Sequence, residues 1–216
     1  SAADDLDLND TATDVFTYTV SDGANTTTAT ITITVTGVND DPVAQNDVGF
    51  IAEDGTLTVA NSANANVSGS YDATGEHSGD VIDTSSSSHT DSDADDSASL
   101  TVTAVRVGST EGSGTAGTVG QALTGTYGQL TLNANGSYTY VANQDVADAL
   151  DVDDTVTDTF NYTVSDGTAT DIAVITITVI GINDAPTAVN DTGSVNEDER
   201  LTVRGAQDDV LNDDSD

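Results

Sequence analysis

The strongest constraint in this sequence is a segment that occurs twice in the same register. Asp14-Val15-Phe16-Thr17-Tyr18-Thr19-Val20-Ser21-Asp22-Gly23 returns 144 positions later as Asp158-Thr159-Phe160-Asn161-Tyr162-Thr163-Val164-Ser165-Asp166-Gly167. The same displacement carries Gly37-Val38-Asn39-Asp40-Asp41-Pro42 onto Gly181-Ile182-Asn183-Asp184-Ala185-Pro186. It also carries Glu53-Asp54 onto Glu197-Asp198 and Leu57-Thr58-Val59 onto Leu201-Thr202-Val203. Between residues 14–47 and 158–191 roughly two-thirds of positions are identical. An unbroken offset over that length means tandem duplication without insertion. The chain therefore parses into three pieces. Residues 1–44 are the C-terminal part of a preceding repeat, 45–188 one complete repeat, and 189–216 the N-terminal part of a following one. Neither end supplies the counterpart of residues 73–144, so the chain reads as a window on a longer array.

Each repeat reads as antiparallel β-structure. Ala29-Thr-Ile-Thr-Ile-Thr-Val35 and Ile175-Thr-Ile-Thr-Val179 alternate aliphatic and threonine residues, the period of a strand with one buried face. Further strands are expected at Val48–Ile51, Thr56–Ala60, Ser99–Val107, Ala122–Thr124, Gly128–Leu132, Ser137–Val141, Thr159–Ser165 and Asp171–Val179. Asn135-Gly136 is a hairpin signal, because both residues tolerate positive φ. No stretch sustains helical periodicity. Many short strands separated by turn signals indicate an all-β, Greek-key, Ig-like sandwich. The spacing of Tyr162 suits a tyrosine-corner-like lock. Residues 61–97 break the pattern with Ser, Asn, Gly and Asp and are expected to form a long surface loop.

Charge narrows the functional classes. The 216 residues carry 38 Asp plus Glu against 3 Lys plus Arg, a formal charge of −35. All three basic residues are arginines (Arg106, Arg200, Arg204). Phosphate-binding surfaces need clustered cations, so nucleic-acid binding is excluded, as is a polybasic membrane-surface segment. Without Cys there are no disulfides and no thiolate metal sites. No run of about 18 apolar residues exists to span a bilayer. Disorder is disfavoured by the strong patterning. Two readings of the acids remain open: halophile-type solvation, or oxygen ligands for Ca2+, which takes six to eight of them.

The repeated phrases, together with Gly128-Gln-Leu-Thr-Leu-Asn-Ala-Asn-Gly-Ser-Tyr-Thr-Tyr140, resemble the VCBS and cadherin-like tandem repeats of large bacterial RTX-type adhesins. The resemblance covers most of the chain outside residues 61–90. It implies an extracellular, Ca2+-stiffened extender on the bacterial cell surface, and no enzyme.

Strand alternation places the acids. If the first strand of a repeat runs down from its top end, Glu53-Asp54-Gly55 lies at the bottom and the loop holding Asp91, Asp93 and Asp95 at the top. Continuing onward, Asp151, Asp153 and Asp154 fall at the bottom, Asp166 at the top, and Asn183-Asp184 leaves from the bottom. One junction then gathers Glu53, Asp54, Asp151, Asp153, Asp154, Asn183 and Asp184, joined by Asp214 and Asp216 from the next repeat. The upstream junction gathers Asp7, Asp10, Asn39, Asp40, Asp91, Asp93 and Asp95. The arrangement resembles cadherin, where such residues share ions between domains. Each close carboxylate pair repels by about 1 kcal/mol even in water, a penalty that a bound Ca2+ removes. Pro42 and Pro186 stiffen the linkers by fixing φ. Asp22 and Asp166, in Ser-Asp-Gly turns, read as turn formers rather than ligands.

Catalytic readings are weaker. His77 and His89 lie in the irregular segment and read as solvated loop residues. Ser85–Ser88 is a low-complexity run with no partner histidine in frame. Carboxylate pairs could serve a glycosidase, but aromatic content is 4% and sugar platforms need rings. No phosphate-cradling glycine motif occurs. The leading expectation is a non-enzymatic extender repeat whose partners are neighbouring repeats. Two other readings stand beside it: a glycan- or protein-binding module using the 61–97 loop, and a subunit that assembles laterally with other copies into a filament or sheath.

Overall fold

A computed structural model describes residues 6–60, 65–68, 79–82, 89–95, 99–186 and 188–202. The chain divides into two units, Ser1–Gly181 and Ile182–Asp216. Among the described residues of the first, eleven strands form: β1 Thr11–Ser21, β2 Thr26–Thr36, β3 Asp47–Ala52, β4 Thr56–Val59, β5 Ala65–Ser68, β6 Thr101–Val107, β7 Ala122–Thr124, β8 Gln129–Leu132, β9 Tyr138–Val141, β10 Thr155–Ser165 and β11 Thr170–Ile180. No helix is long and apolar enough to cross a membrane among the described residues.

Residues 43–181 form an all-β sandwich. One sheet has the order β3-β11-β10-β6, the other β5-β4-β9-β8-β7. All pairings are antiparallel except β11 with β3, where Ile175 lies opposite Asp47 and Ile180 opposite Ala52. The threonine-aliphatic alternation has the expected consequence: Ala173, Ile175, Ile177 and Val179 point inward and are fully buried, with Phe160, Tyr162 and Val164 beside them on β10. Leu57, Val59, Leu130, Leu132, Tyr138 and Tyr140 meet them from the second sheet. Tyr140 packs edge-on against Phe160 with centroids 6.4 Å apart, a favoured geometry for aromatic quadrupoles. The sheets approach so closely at Gly49 that a Cβ there would stand 2.8 Å from Ile177 Cδ1 and 2.9 Å from Leu57 Cδ2.

Two buried polar contacts fix the register. Asp158 sits on the inward face of β10, and its carboxylate accepts from the backbone N–H of Thr126 (2.8 Å), Tyr127 (3.0 Å) and Gly128 (3.1 Å). The Tyr140 hydroxyl donates to it at 2.6 Å. Four donors compensate the charge for the water it has lost. The Tyr162 hydroxyl lies 2.5 Å from Asp47 Oδ2, 3.0 Å from Gln45 O and 3.2 Å from Val81 O. A phenol has one proton to give, and the shortest contact, to Asp47, takes it. The lock expected at Tyr162 exists but spans over a hundred residues. It is not the local corner to nearby backbone, because the acceptor is brought in by the parallel β3–β11 pairing.

Two described stretches of residues 61–97, at 65–68 and 79–82, differ from the surface loop read from their composition; residues 61–64, 69–78, 83–88 and 96–97 lie outside the described residues. β5 pairs with the free edge of β4, Leu57 opposite Val67. Val81 is fully buried and its N–H donates to Gly136 O at 3.1 Å. Composition concealed this because one valine in a polar stretch carries no period. His77 lies outside the described residues, and the His89 ring contacts Asn46 O.

β1 and β2 form a separate two-stranded sheet. Its register, Thr11 opposite Thr36 through Ser21 opposite Thr26, is that of β10 and β11 displaced by 144 residues. Turn chemistry repeats as well. Gly23 and Gly167 take positive φ, Ser21 and Ser165 each bond across the turn, and Asn9 and Asp153 share a left-handed backbone. Packing differs. Phe16 is 53% exposed and Ile33 49%, whereas Phe160 and Ile177 are at 0%. In the second unit Asn183 Nδ2 donates to Asp184 O at 2.6 Å and Asn196 Nδ2 to Glu199 Oε2 at 3.0 Å.

Candidate cation site

Three acids predicted for the upstream junction, Asp91, Asp93 and Asp95, lie in a loop that meets the linker following β2. Val43 and Ser92 exchange two backbone hydrogen bonds, which lays the 91–95 loop against residues 39–45. Two carboxylates then hold the linker and a third braces the loop. Asp91 Oδ1 accepts from Gln45 N at 2.7 Å, Asp95 Oδ2 from Asp40 N at 3.1 Å, and Asp93 Oδ1 from Asp95 N at 2.9 Å. Each of these three groups spends one oxygen on a backbone N–H. The other oxygens, Asp91 Oδ2, Asp93 Oδ2 and Asp95 Oδ1, are buried and accept no hydrogen bond. A buried anionic oxygen without a partner is costly, typically by about 1–3 kcal/mol or more.

Two acids outside the predicted set join them. Asp166 Oδ2 accepts from Asn39 Nδ2 at 2.9 Å, and Asn39 Nδ2 also contacts Asp40 O. Asp171 Oδ2 accepts from Ala44 N at 2.8 Å. Asp166 is a turn former too, since its Oδ1 accepts from Thr168 N and Ala169 N. Those N–H groups, Ala169 foremost, hold its carboxyl below the usual range, and Asn25 N–H does the same for Asp22. The Ser-Asp-Gly turn could have signalled Asp166, because strand counting puts it at the top end. Asp171 had no such signal; its counterpart is Thr27.

The electrostatics follow. Burial pushes Asp91 up to about 6, with the charges of Asp171 and Asp80 adding to the rise and the Gln45 N–H opposing it. Arg106 is the only arginine or lysine of residues 1–181, and it donates to Gly114 O at 3.3 Å. Among the described residues no three His, Cys, Asp or Glu side chains are drawn together as a finished cation site. What the loop does offer is a set of hard, anionic oxygens with buried vacant lone pairs. That set fits Ca2+ and not a soft metal.

The other predicted ligands fall as follows. Asp7 and Asp10 flank Gly37: Asp10 O accepts from Gly37 N at 2.8 Å, and a Cβ on Gly37 would strike Asp7 O. At the opposite end of the sandwich, Glu53 is buried and its N–H donates to Ile180 O at 2.9 Å. Gly181 there exchanges backbone bonds with Asp153 and Asp154, so Glu53, Asp54, Asp151, Asp153 and Asp154 surround the end of β11. Asp54, Asp151, Asp153 and Asp154 are exposed. Asn183 and Asp184 belong to the second unit. Asp214 and Asp216 lie outside the described residues.

A sandwich of this topology with an acid-bound linker at one end defines a class of cadherin-like β-modules. The profile of the bacterial cadherin-like domain matches residues 39–181, and the chain belongs to that family. No curated protein matches the sequence. Among solved structures, an endo-fucoidan hydrolase of glycoside hydrolase family 107 is similar over 82% of this chain, at 16% identity and a TM-score of 0.30. A variant of the same enzyme is similar at 17% identity and the same TM-score. The chain spans 21% of the length of each, and at that TM-score the likeness carries no functional argument.

Proposed function

We propose that the chain is a non-enzymatic extender: one complete cadherin-like repeat (45–188) between the end of a preceding repeat (1–44) and the start of a following one (189–216). Its place is the outside of a bacterial cell, in an adhesin or filament of the VCBS and RTX type, and Ca2+ at the junctions makes it rigid. The observation that carries this reading is the acid loop at the top of the sandwich. Asp91 and Asp95 bind the linker with one oxygen each, Asp93 spends one on Asp95 N–H within the loop, and all three leave the other oxygen buried without a partner. Asp91, Asp93, Asp95, Asp40 and the Asn39 amide oxygen would hold the ion. A bound Ca2+ supplies positive charge at the convergence of linker and loop. The protein's own residues do the rest: Pro42 limits φ, and the Val43–Ser92 bridge fixes the linker's path.

Support for a structural role also comes from the aromatics. Tyr138, Tyr140, Tyr162 and Phe160 are consumed in the core, so these four rings are not available as the platform a glycosidase uses. Titration of chelated protein with Ca2+, followed by melting and by small-angle scattering, tests the proposal. Binding to the folded state stabilises it by about 2.7 kcal/mol at a hundredfold excess over Kd. A melting temperature and maximum dimension unmoved by Ca2+ overturn the reading.

A further inference from the structure

The β1–β2 hairpin exposes a face that carries the chemistry of a core. We propose that this face is an interaction surface, and that its occupant is a polypeptide with the chemistry of residues 45–148, the part of a repeat that precedes its last hairpin. The inference rests on the repeat reading above and adds the surface, its partner and the contacts that specify it.

Three observations carry it. First, eight of the ten inward positions of β1 and β2 are identical to those of β10 and β11, with Ala12 and Thr27 standing in place of Val156 and Asp171, whereas outward positions such as Val15, Thr17, Thr28 and Thr30 correspond to different residues, Thr159, Asn161, Ile172 and Val174. Inward identity at an equal register means the same surface in the same shape. Second, the covered copy shows what fits: β3 alongside β11 in parallel, β6 alongside β10, and the five-stranded sheet over the face. The outer edges of β1 and β2 carry the same unpaired ladder groups, which a matching strand satisfies. Third, the face includes Asp14, flanked by Phe16. A carboxylate on an apolar face selects its partner, since burying it without donors is prohibitive. At the equivalent Asp158 the partner supplies three successive backbone N–H groups and a tyrosine hydroxyl. Tyr18 likewise calls for a carboxylate, which Asp47 provides to Tyr162. A lipid surface offers neither, and an arbitrary apolar peptide lacks the three-amide loop.

The full 216-residue chain, mixed with a polypeptide of residues 45–148 (β3 to β9 with neither hairpin), gives the test. Amide exchange at residues 11–36 of the full chain should slow by roughly tenfold or more at the edge positions, saturating at one to one. Ile33→Asp or Asp14→Ala in the full chain should abolish that slowing and leave exchange at 99–181 unchanged. Should the probe alone be insoluble, the same polypeptide joined ahead of Ser1 provides a second arm with the same readout. Absence of protection in both arms overturns the proposal, as does protection that survives both substitutions. Equal protection from raising the concentration of the full chain alone makes the occupant a second copy, and also overturns it. Running each arm in chelator and in Ca2+ separates the outcomes, because failure of the Ca2+ reading changes melting and not this exchange pattern.

Discussion

Asp91 concentrates the tension in this molecule. Its folded-state pKa, about 6, lies above the value of 3.8 for a free aspartate. Between those values the folded form binds the proton more tightly than the unfolded form does. Its contribution is therefore favourable in acid and is lost as pH rises through about 6, where it opposes folding by about 3 kcal/mol. Asp91→Asn keeps an oxygen for Gln45 N–H and removes the charge. In chelator at pH 7 the variant should melt above the parent, and its melting temperature should lose part of the decline from pH 4 to pH 6. In Ca2+ the order should reverse; a variant that responds to Ca2+ like the parent would remove Asp91 from the ligand set. Asp158 has the opposite surroundings: both of its carboxylate oxygens are met by donors, four in all. Asp158→Asn turns an amide toward N–H groups, and should lower stability by about 3 kcal/mol in denaturant titration. Strand counting had put Asp91 among the candidate ligands, whereas nothing in the sequence announced the buried role of Asp158, which sits in a run of threonines.

At the scale of strands, identical sequence has unequal energetic weight. Ile175 is buried and Ile31 is half exposed, although they occupy equivalent positions. Ile175→Ala should cost about 2–5 kcal/mol through lost burial and the cavity left behind. Ile31→Ala should fall within about 0.5 kcal/mol by the same measurement. Equal costs would mean that the hairpin is already covered. Most strands were legible in the sequence, because alternation of Thr with Ile or Val has one structural solution when one face is buried. β5 was not, since it is four residues long and borrows its order from the edge of β4. The burial of Val81 was hidden for a similar reason: it is set by what packs over the Asn135-Gly136 turn, and no local pattern encodes that.

For the whole molecule the −35 charge is both a general repulsion and a local ligand supply. Sodium chloride should raise the melting temperature of the chelated chain gradually, by screening. Ca2+ at matched ionic strength should raise it further and saturate, and a response equal to that of Na+ would leave only solvation for the acids. The sequence by itself determined the 144-residue period, the β class, the alternating faces and the end of the sandwich at which Glu53, Asp91, Asp153 and Asp154 fall. These are consequences of chain direction and of a two-residue side-chain period. Tertiary structure alone decided which carboxylate oxygens face a linker amide and which stay vacant, and that Asp166 and Asp171 join the loop. It also decided that one of two equal hairpins is buried and the other open. Burial and hydrogen-bond partnership depend on segments a hundred residues apart meeting in space, and a repeated sequence says the same thing in both places.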